Sequence, residues 1–324
     1  MPIFSGRTRL APDPPPPVLR KRLITGPILI ATLLAVVVLD DWVDTIALPA
    51  GFFQDLFRGK EHPPRGIVLF LVALGLAPLC ARELTAIFRT NGIMTRTWLT
   101  TLATVVGLVL CYSIPTQTST SPGTETTTTI ALVTTSMIVV FVIAILTFSR
   151  RQNVAGVIAA AGAVMFAMVY LGFMLGLLLA LRREHSAWIV VGVIFVTKAC
   201  DTGAYFTGRA IGRHRMIPWL SPGKTWEGLA GGIATAVVTG VAFSFASRLL
   251  DPIDHVAPWI GAVCGALFGV VGQLGDLTMS LFKRGAGLKD SSAMLPGLGG
   301  VLDLLDSPLL VAPVAWWTLT ILPA

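Results

Sequence analysis

The sequence predicts an all-α polytopic integral membrane protein with about nine transmembrane helices. Three observations predict it. Of 324 residues, 54% are hydrophobic and 13% are charged, and the mean hydropathy is +0.78. A soluble domain of this length needs far more charge to cover its surface. Long apolar runs recur from residue 23 to residue 322, and no polar block between them is long enough for a second core. The chain therefore reads as a basic arm at 1–22, N-terminal membrane helices at 23–181 and a polar-motif-bearing membrane region at 182–324.

The elements follow in order. Residues 1–22 are basic and proline-rich, with four prolines in a row at 14–17, and are expected to form a disordered cytoplasmic arm. The apolar run 23–39 is long for a signal-peptide core and is followed by Asp40, Asp41 and Asp44, so an uncleaved first span is expected. Further spans are predicted at 66–88, 97–114, 130–148 and 154–181. The last of these exceeds the roughly 20 residues that cross a bilayer and implies a tilt or a kink. Four more are predicted at 187–208, 229–247, 258–281 and 307–322.

Loop charge sets the orientation. Of the 24 Lys and Arg residues, 16 fall in the arm and the loops sharing its face, and six in the opposite loops. Arg82 and Lys198 lie inside spans. Positive residues accumulate on the cytoplasmic side, which places the N-terminus in the cytoplasm and the C-terminus outside. The Thr-rich loop 115–129 carries no Lys or Arg, as an external loop should. The pair Arg182–Arg183 runs against the rule. Under this orientation the polar, Gly-rich loops 209–228 and 282–306 both face the cytoplasm, where nucleotides are.

Several classes of function are set aside. The net charge of +7 suits loop orientation and anionic membrane lipid; no basic segment carries the interleaved aromatics of a nucleic-acid binder. Cys80, Cys111, Cys200 and Cys264 lie in apolar segments without CxxC spacing and read as buried thiols. His62, His185, His214 and His255 are scattered singly, and no HExxH supports zinc hydrolysis.

Three clusters carry chemistry. The densest runs Gly275-Asp-Leu-Thr-Met-Ser280-Leu-Phe-Lys283-Arg284, then Lys289-Asp290, then Pro296-Gly-Leu-Gly-Gly300-Val-Leu-Asp303-Leu-Leu-Asp306. On a continuous helix Asp276, Ser280, Lys283 and Arg284 share one face. Ionised groups cost about 2.5–3.5 kcal/mol each at the centre of a membrane helix. Lys283 and Arg284 can reduce that cost by snorkelling to headgroups, but Asp276 cannot snorkel far. Carboxylates with nearby cations suit phosphate chemistry assisted by a hard divalent metal. Gly297, Gly299 and Gly300 let backbone amides approach a phosphate, or simply form a turn.

The second cluster, Lys198-Ala-Cys-Asp201-Thr-Gly-Ala-Tyr205, lies inside a span. Lys198 and Asp201 either pair with one another at i, i+3 or present Asp201 to a polar cavity. The third is Ser221-Pro-Gly-Lys224-Thr225-Trp-Glu227-Gly228. Its Gly-Lys-Thr is not a phosphate-binding P-loop, because Pro218 stands where that loop needs glycine; Lys224 remains a phosphate-type cation. Gly265-x-x-x-Gly269 and Gly231-Gly232 read as close helix packing.

In this order the clusters resemble the phosphatidate cytidylyltransferase (CDP-diacylglycerol synthase) family. Its pattern is approximately D-[ST]-[GA]-A-Y, S-P-x-K-T-x-E-G, G-D-L-x-E-S-x-x-K-R, K-D and P-G-H-G-G-x-x-D-R-x-D. The matching positions here are 201–205, 221–228, 275–284, 289–290 and 296–306, all in the C-terminal part of the chain. Met279, Leu298 and Leu304 stand where the family has Glu, His and Arg.

The resemblance implies transfer of a cytidylyl group from CTP to phosphatidate in phospholipid biosynthesis, at the cytoplasmic face of the inner (plasma) membrane. It implies Mg2+ as cofactor, with a second cation admitted, held by Asp276 and Asp303 and supported by Asp201 and Asp290. It also implies Lys224, Lys283, Arg284 and Lys289 as phosphate-holding cations and Ser221 and Ser280 as orienting hydroxyls, with Gly299 and Gly300 at the substrate. A homodimer is left open. Three other readings stand beside it: a CTP-dependent polyprenol or phytol kinase, a divergent low-activity paralogue, and a transporter with Asp201 and Asp276 on an ion path. The transporter is the weakest, because the charged residues collect at one end of the last four spans.

Overall fold

The computed structural model describes residues 16–48, 61–114, 122–149, 155–252 and 254–322. It is nearly all helical. The helices are α1 (Pro16–Asp44), α2 (Ile67–Thr90), α3 (Thr97–Ser113), α4 (Pro122–Ser149), α5 (Val157–Ala167), α6 (Met174–Glu184), α7 (Ala187–Ile211), α8 (Trp226–Leu250), α9 (Pro258–Gly285) and α10 (Val301–Ile321). Between α5 and α6, within the predicted fifth span, the chain makes one π-helical turn, Met168–Phe173.

Among the described residues, eight segments are long and apolar enough to cross a membrane. The span predicted at 97–114 folds as the 17-residue α3, about 26 Å of helix against a hydrocarbon core of about 30 Å. Helix α1 begins at Pro16, inside the predicted arm; residues 1–15 lie outside the described residues. So do Arg150 and Arg151 and positions 115–121 of the Thr-rich loop.

Other expectations are corrected too: α4 begins at Pro122 instead of 130, taking in the end of the Thr-rich loop. The last helix begins at Val301 instead of 307, so Asp303 and Asp306 are helical. The connection 212–225 contains a small antiparallel hairpin, β1 (Arg215–Ile217) and β2 (Ser221–Thr225), which the all-α expectation lacks. Its last residue, Thr225, begins α8 as an N-cap, accepting a hydrogen bond from the Gly228 amide. The Thr of the Gly-Lys-Thr sequence therefore starts a helix, as its hydroxyl suits.

Helices α7 to α10 pack most intimately. Small residues let their backbones meet: a Cβ at Gly265 would lie 2.5 Å from the Ala236 carbonyl oxygen, and one at Gly232 would lie 2.8 Å from that of Cys200. This is membrane-type helix packing by close approach. One buried core joins α2, α5, the π turn and α6 to the ends of α9 and α10, and another fills the space between α6, α7, α9 and α10. Cys80, Cys200 and Cys264 are buried and all four cysteines are free thiols.

The far end of the bundle explains the Arg182–Arg183 pair. Arg182 is 2% exposed; its Nε donates to Asp40 Oδ2 at 2.6 Å and its Nη2 pairs with Asp44. Asp40, fully buried, also accepts from the Val68 and Leu69 amides at 3.0 Å each, closing the start of α2. Arg183 donates to the carbonyls of Tyr112 and Ile114 at the end of α3. Both guanidinium groups are internal fasteners, so they carry no weight in an orientation rule that concerns solvated loops.

Candidate active site

The connections 212–225 and 286–300 join the C-terminal ends of α7 and α9 to the N-terminal ends of α8 and α10. Helix N-termini present unsatisfied amides and positive dipole to that end, a natural place for anions.

The inner cluster joins four helix ends. Lys224, just before α8, places Nζ 2.8 Å from Asp276 Oδ2 of α9. Its Nζ also lies 3.4 Å from the Gln273 carbonyl oxygen. Lys198 of α7 lies 3.3 Å from Asp201 Oδ2 and 3.5 Å from Asp306 Oδ1. The i, i+3 pairing of Lys198 with Asp201 is thus present, and Asp201 also faces the cluster. The Gln273 amide donates to Asp201 Oδ1 at 2.9 Å. Asp276 lies within electrostatic reach of both Asp201 and Asp306. Three carboxylates against two ammonium groups leave one net negative charge in a site made of hard oxygen donors.

The second cluster holds the loop before α10. Lys283 Nζ is 2.7 Å from Asp303 Oδ1. Asp303 Oδ2 accepts from the amides of Ser291 and Gly300 at 2.8 and 2.9 Å and from Ser291 Oγ at 2.9 Å. Asp303 is therefore bound up in fixing loop and helix. Asp276, by contrast, keeps company with Lys224, Asp201 and Asp306.

Gly299 and Gly300 have partners within the chain. Gly300 donates to Asp303, and the Gly299 amide donates to the Leu295 carbonyl at 3.1 Å. Any Cβ at Gly300 would collide with Ser291 Oγ and Glu83 Oε2. The two residues make room for the protein's own carboxylates, and their amides are taken up inside the chain. Gly299 also has φ +95°, in the region that favours glycine.

Residues that the sequence reading missed complete this part. Glu83 of α2, 6% exposed, accepts from Ser291 Oγ at 2.8 Å, Ser292 Oγ at 2.7 Å, and the Val301 and Leu302 amides at 3.1 and 2.9 Å. A carboxylate from the second helix thereby caps the last one. Its signal was a lone Glu inside an apolar span, which the membrane makes costly without a partner.

The remaining predicted residues lie around this end. Ser221 and Ser280 are half-buried, whereas Arg284, Lys289 and Asp290 are exposed. Arg284 Nη1 lies 3.4 Å from the Leu288 carbonyl oxygen. Asp276 and Lys283 share α9 as predicted, but each faces a different partner. Of the three departures from the family pattern, Met279 is fully buried in the apolar core, and Leu298 and Leu304 are half-buried. The Met279 side chain suits a core position where a carboxylate would need partners.

No group of three or more metal-type ligands is closed up for an ion among the described residues; Lys198 and Lys224 stand between the carboxylates. Asp201, Asp276 and Asp306 all offer carboxylate oxygen, the donor type that hard divalent cations take.

Comparison with known proteins bears on this arrangement. Residues 50–322 match the model of the family described as "Cytidylyltransferase family". The chain is 42% identical over 124 residues to a protein of Haemophilus influenzae named phosphatidate cytidylyltransferase, covering 38% of this chain and 42% of that one. It is 40% identical over 148 residues to one of the same name from Mycobacterium bovis, covering 46% of each. It is 37% identical over 167 residues to another from Bacillus subtilis, covering 49% of this chain and 58% of that protein. The matched stretches span about half the length of these relatives.

Proposed function

The chain belongs to the cytidylyltransferase family, and on that premise we propose that it transfers a cytidylyl group from CTP to phosphatidate, yielding CDP-diacylglycerol and pyrophosphate for phospholipid biosynthesis. The observation that carries this reading is the 2.8 Å contact between Lys224 and Asp276, flanked by Lys198, Asp201 and Asp306. Cations and carboxylates gathered at helix ends are what a reaction between two phosphates requires.

An oxygen of the lipid phosphate attacks the α-phosphorus of CTP. As that bond forms, the bond from α-phosphorus to the bridging oxygen breaks, and pyrophosphate leaves with the electron pair. The nucleophile is already an anion at neutral pH, so no strong general base is needed. What the protein must overcome is repulsion between anions. Lys224 and Lys198, both half-buried, are the cations that meet the triphosphate in this reading, with the dipole of α8 behind Lys224. Ser221 and Ser280 orient phosphate oxygens, and Arg284 and Lys289, exposed at the same end, meet the lipid phosphate. Lys283 and Asp303 hold the loop that shapes the site, with Asp290 at its rim. Asp276, Asp201 and Asp306 are the carboxylates that would hold Mg2+, which would supply neutralisation of phosphate charge.

In this reading the chain makes nine passes of the inner membrane, with its N-terminus and site facing the cytoplasm and its C-terminus outside. The test is to incubate purified protein with phosphatidate and CTP labelled in the cytosine ring, then extract the lipid. Label in the lipid fraction is expected. Phosphorylated lipid without cytidine would instead indicate a CTP-dependent kinase.

A further inference from the structure

The turn between α2 and α3 borders a pocket that has no part in the scheme above. It measures about 660 Å³, lies between that turn, the end of α4 and the start of α5, and is lined in part by Arg89, Ile93, Thr95, Arg96, Phe148 and Val157. It sits at the membrane end that carries the candidate active site: a Cβ on Gly285, the last residue of α9, would lie 2.9 Å from Asn91 Oδ1 in the same turn.

One side of the pocket is cationic. Arg89 Nε donates to the Thr95 carbonyl at 2.9 Å, which fixes the guanidinium, and its terminal nitrogens have no partner among the described residues. Arg96 is half-buried, and its side chain makes neither hydrogen bond nor ion pair among the described residues. No described carboxylate lines the pocket. Arg96 and Gly156 are also the N-caps of α3 and α5, and neither helix start has a side-chain cap, so two positive dipole ends add to the two guanidinium groups. Thr95 is 4% exposed, and its hydroxyl has no partner among the described residues. Cations partly removed from water without a counter-charge call for an anion from outside the chain.

The other side is apolar, with Ile93, Phe148 and Val157. Close by in the chain, Met94, Trp98 and Ile158 are 50%, 51% and 88% exposed. Exposed apolar side chains of a membrane protein face lipid, and tryptophan favours the depth of the headgroups. A free phosphate has no use for such a wall, whereas a phospholipid uses both sides; basic pockets between membrane helices hold anionic headgroups in this way.

We propose that this pocket binds an anionic phospholipid, with Arg89 and Arg96 holding its phosphate oxygens and the glycerol and acyl chains lying on Ile93, Phe148 and Val157. The site is separate from the Lys224–Asp276 cluster and does not depend on the reaction assigned there.

The test follows the melting temperature of the delipidated whole chain in a neutral detergent, titrated with short-chain phosphatidylglycerol, short-chain phosphatidylcholine or inorganic phosphate. Phosphatidylglycerol should raise it at lower concentration than phosphatidylcholine, and inorganic phosphate should leave it unchanged. Arg96→Gln, which removes a side chain with no partner to lose, should need about 10-fold more phosphatidylglycerol for the same rise, the scale of one hydrogen bond to a charged group. Arg89→Gln should shift the curve in the same direction, and Arg96→Lys, which keeps the charge, should shift it less. Titration curves that coincide for wild type and both Gln variants overturn the proposal, and so does an equal effect of the two lipids. A rise with inorganic phosphate that Arg96→Gln loses assigns the pocket to free phosphate and overturns the lipid assignment.

Discussion

The Leu302 amide donates to Glu83 Oε2 at 2.9 Å, so a carboxylate in the second helix closes the first turn of the last one. The same side chain takes the Val301 amide and the hydroxyls of Ser291 and Ser292. Glutamine offers one acceptor oxygen and turns a donor amide toward these donors. Glu83→Gln should therefore destabilise the protein by about 1–3 kcal/mol, the cost of leaving buried donors unpaired. Thermal unfolding in detergent measures it, and a melting temperature equal to wild type would contradict the capping role.

The far end of the bundle makes a different prediction. Arg182→Met leaves Asp40, which is fully buried, without its cation. Breaking a buried pair from one side typically costs about 3–5 kcal/mol. The double variant Asp40→Asn/Arg182→Met should recover part of that loss, because the fully buried Asp40 charge is gone and only the less buried Asp44 lacks its cation. Equal melting temperatures for the single and double variants would show that charge burial is not the cause.

These two carboxylates mark how far the sequence could be read. Asp276, Lys224 and Asp201 stood out because ionised residues in apolar runs are costly and because their spacing follows a known pattern. Glu83 showed the same anomaly, but its partners are mainly backbone amides and serine hydroxyls about 200 residues away, and an amide carries no residue signature. The start of α10 was misplaced for a related reason. Glycines at 297, 299 and 300 and Pro308 read locally as loop, whereas Glu83 and Asp303 cap the amides that let a helix begin at Val301. Prolines at 218 and 222 with Gly223 hid the hairpin. The helix-packing glycines were legible from spacing, though their partners were not.

Among those glycines, Gly275 ties packing to the site. A Cβ there would lie 2.7 Å from the Asp306 carbonyl oxygen and 2.9 Å from the Ser307 Cα, both backbone atoms that cannot swing aside. Gly275→Ala should push α9 from α10 next to Asp276, at a cost of about 1–3 kcal/mol. Lower thermal stability together with weaker turnover is the expected result. Full activity would mean that the α9–α10 spacing is not critical.

Asp254, in the loop between α8 and α9, gives a pH signature. Its partial burial favours the neutral acid, but hydrogen bonds from His185 and the Ser186 amide outweigh this and hold it below the ordinary value of 3.8. A carboxyl depressed in the folded state stabilises the protein above its unfolded pKa, and the contribution is lost as pH falls through the folded one. Wild type should exceed Asp254→Asn in stability at neutral pH, and the gap should close in acid, below about pH 4. Parallel pH–stability curves for the two proteins would contradict the assignment.

Pyrophosphate release from CTP in the presence of phosphatidate, wild type against Asp276→Asn, tests the account most directly. Neutralising Asp276 removes the carboxylate that meets Lys224 and faces Asp201 and Asp306. Turnover should fall about 100-fold or more, the scale of losing one preorganised charge contact, with the protein still folded. Equal release from the two proteins would contradict the claim that this cluster brings the two phosphates together.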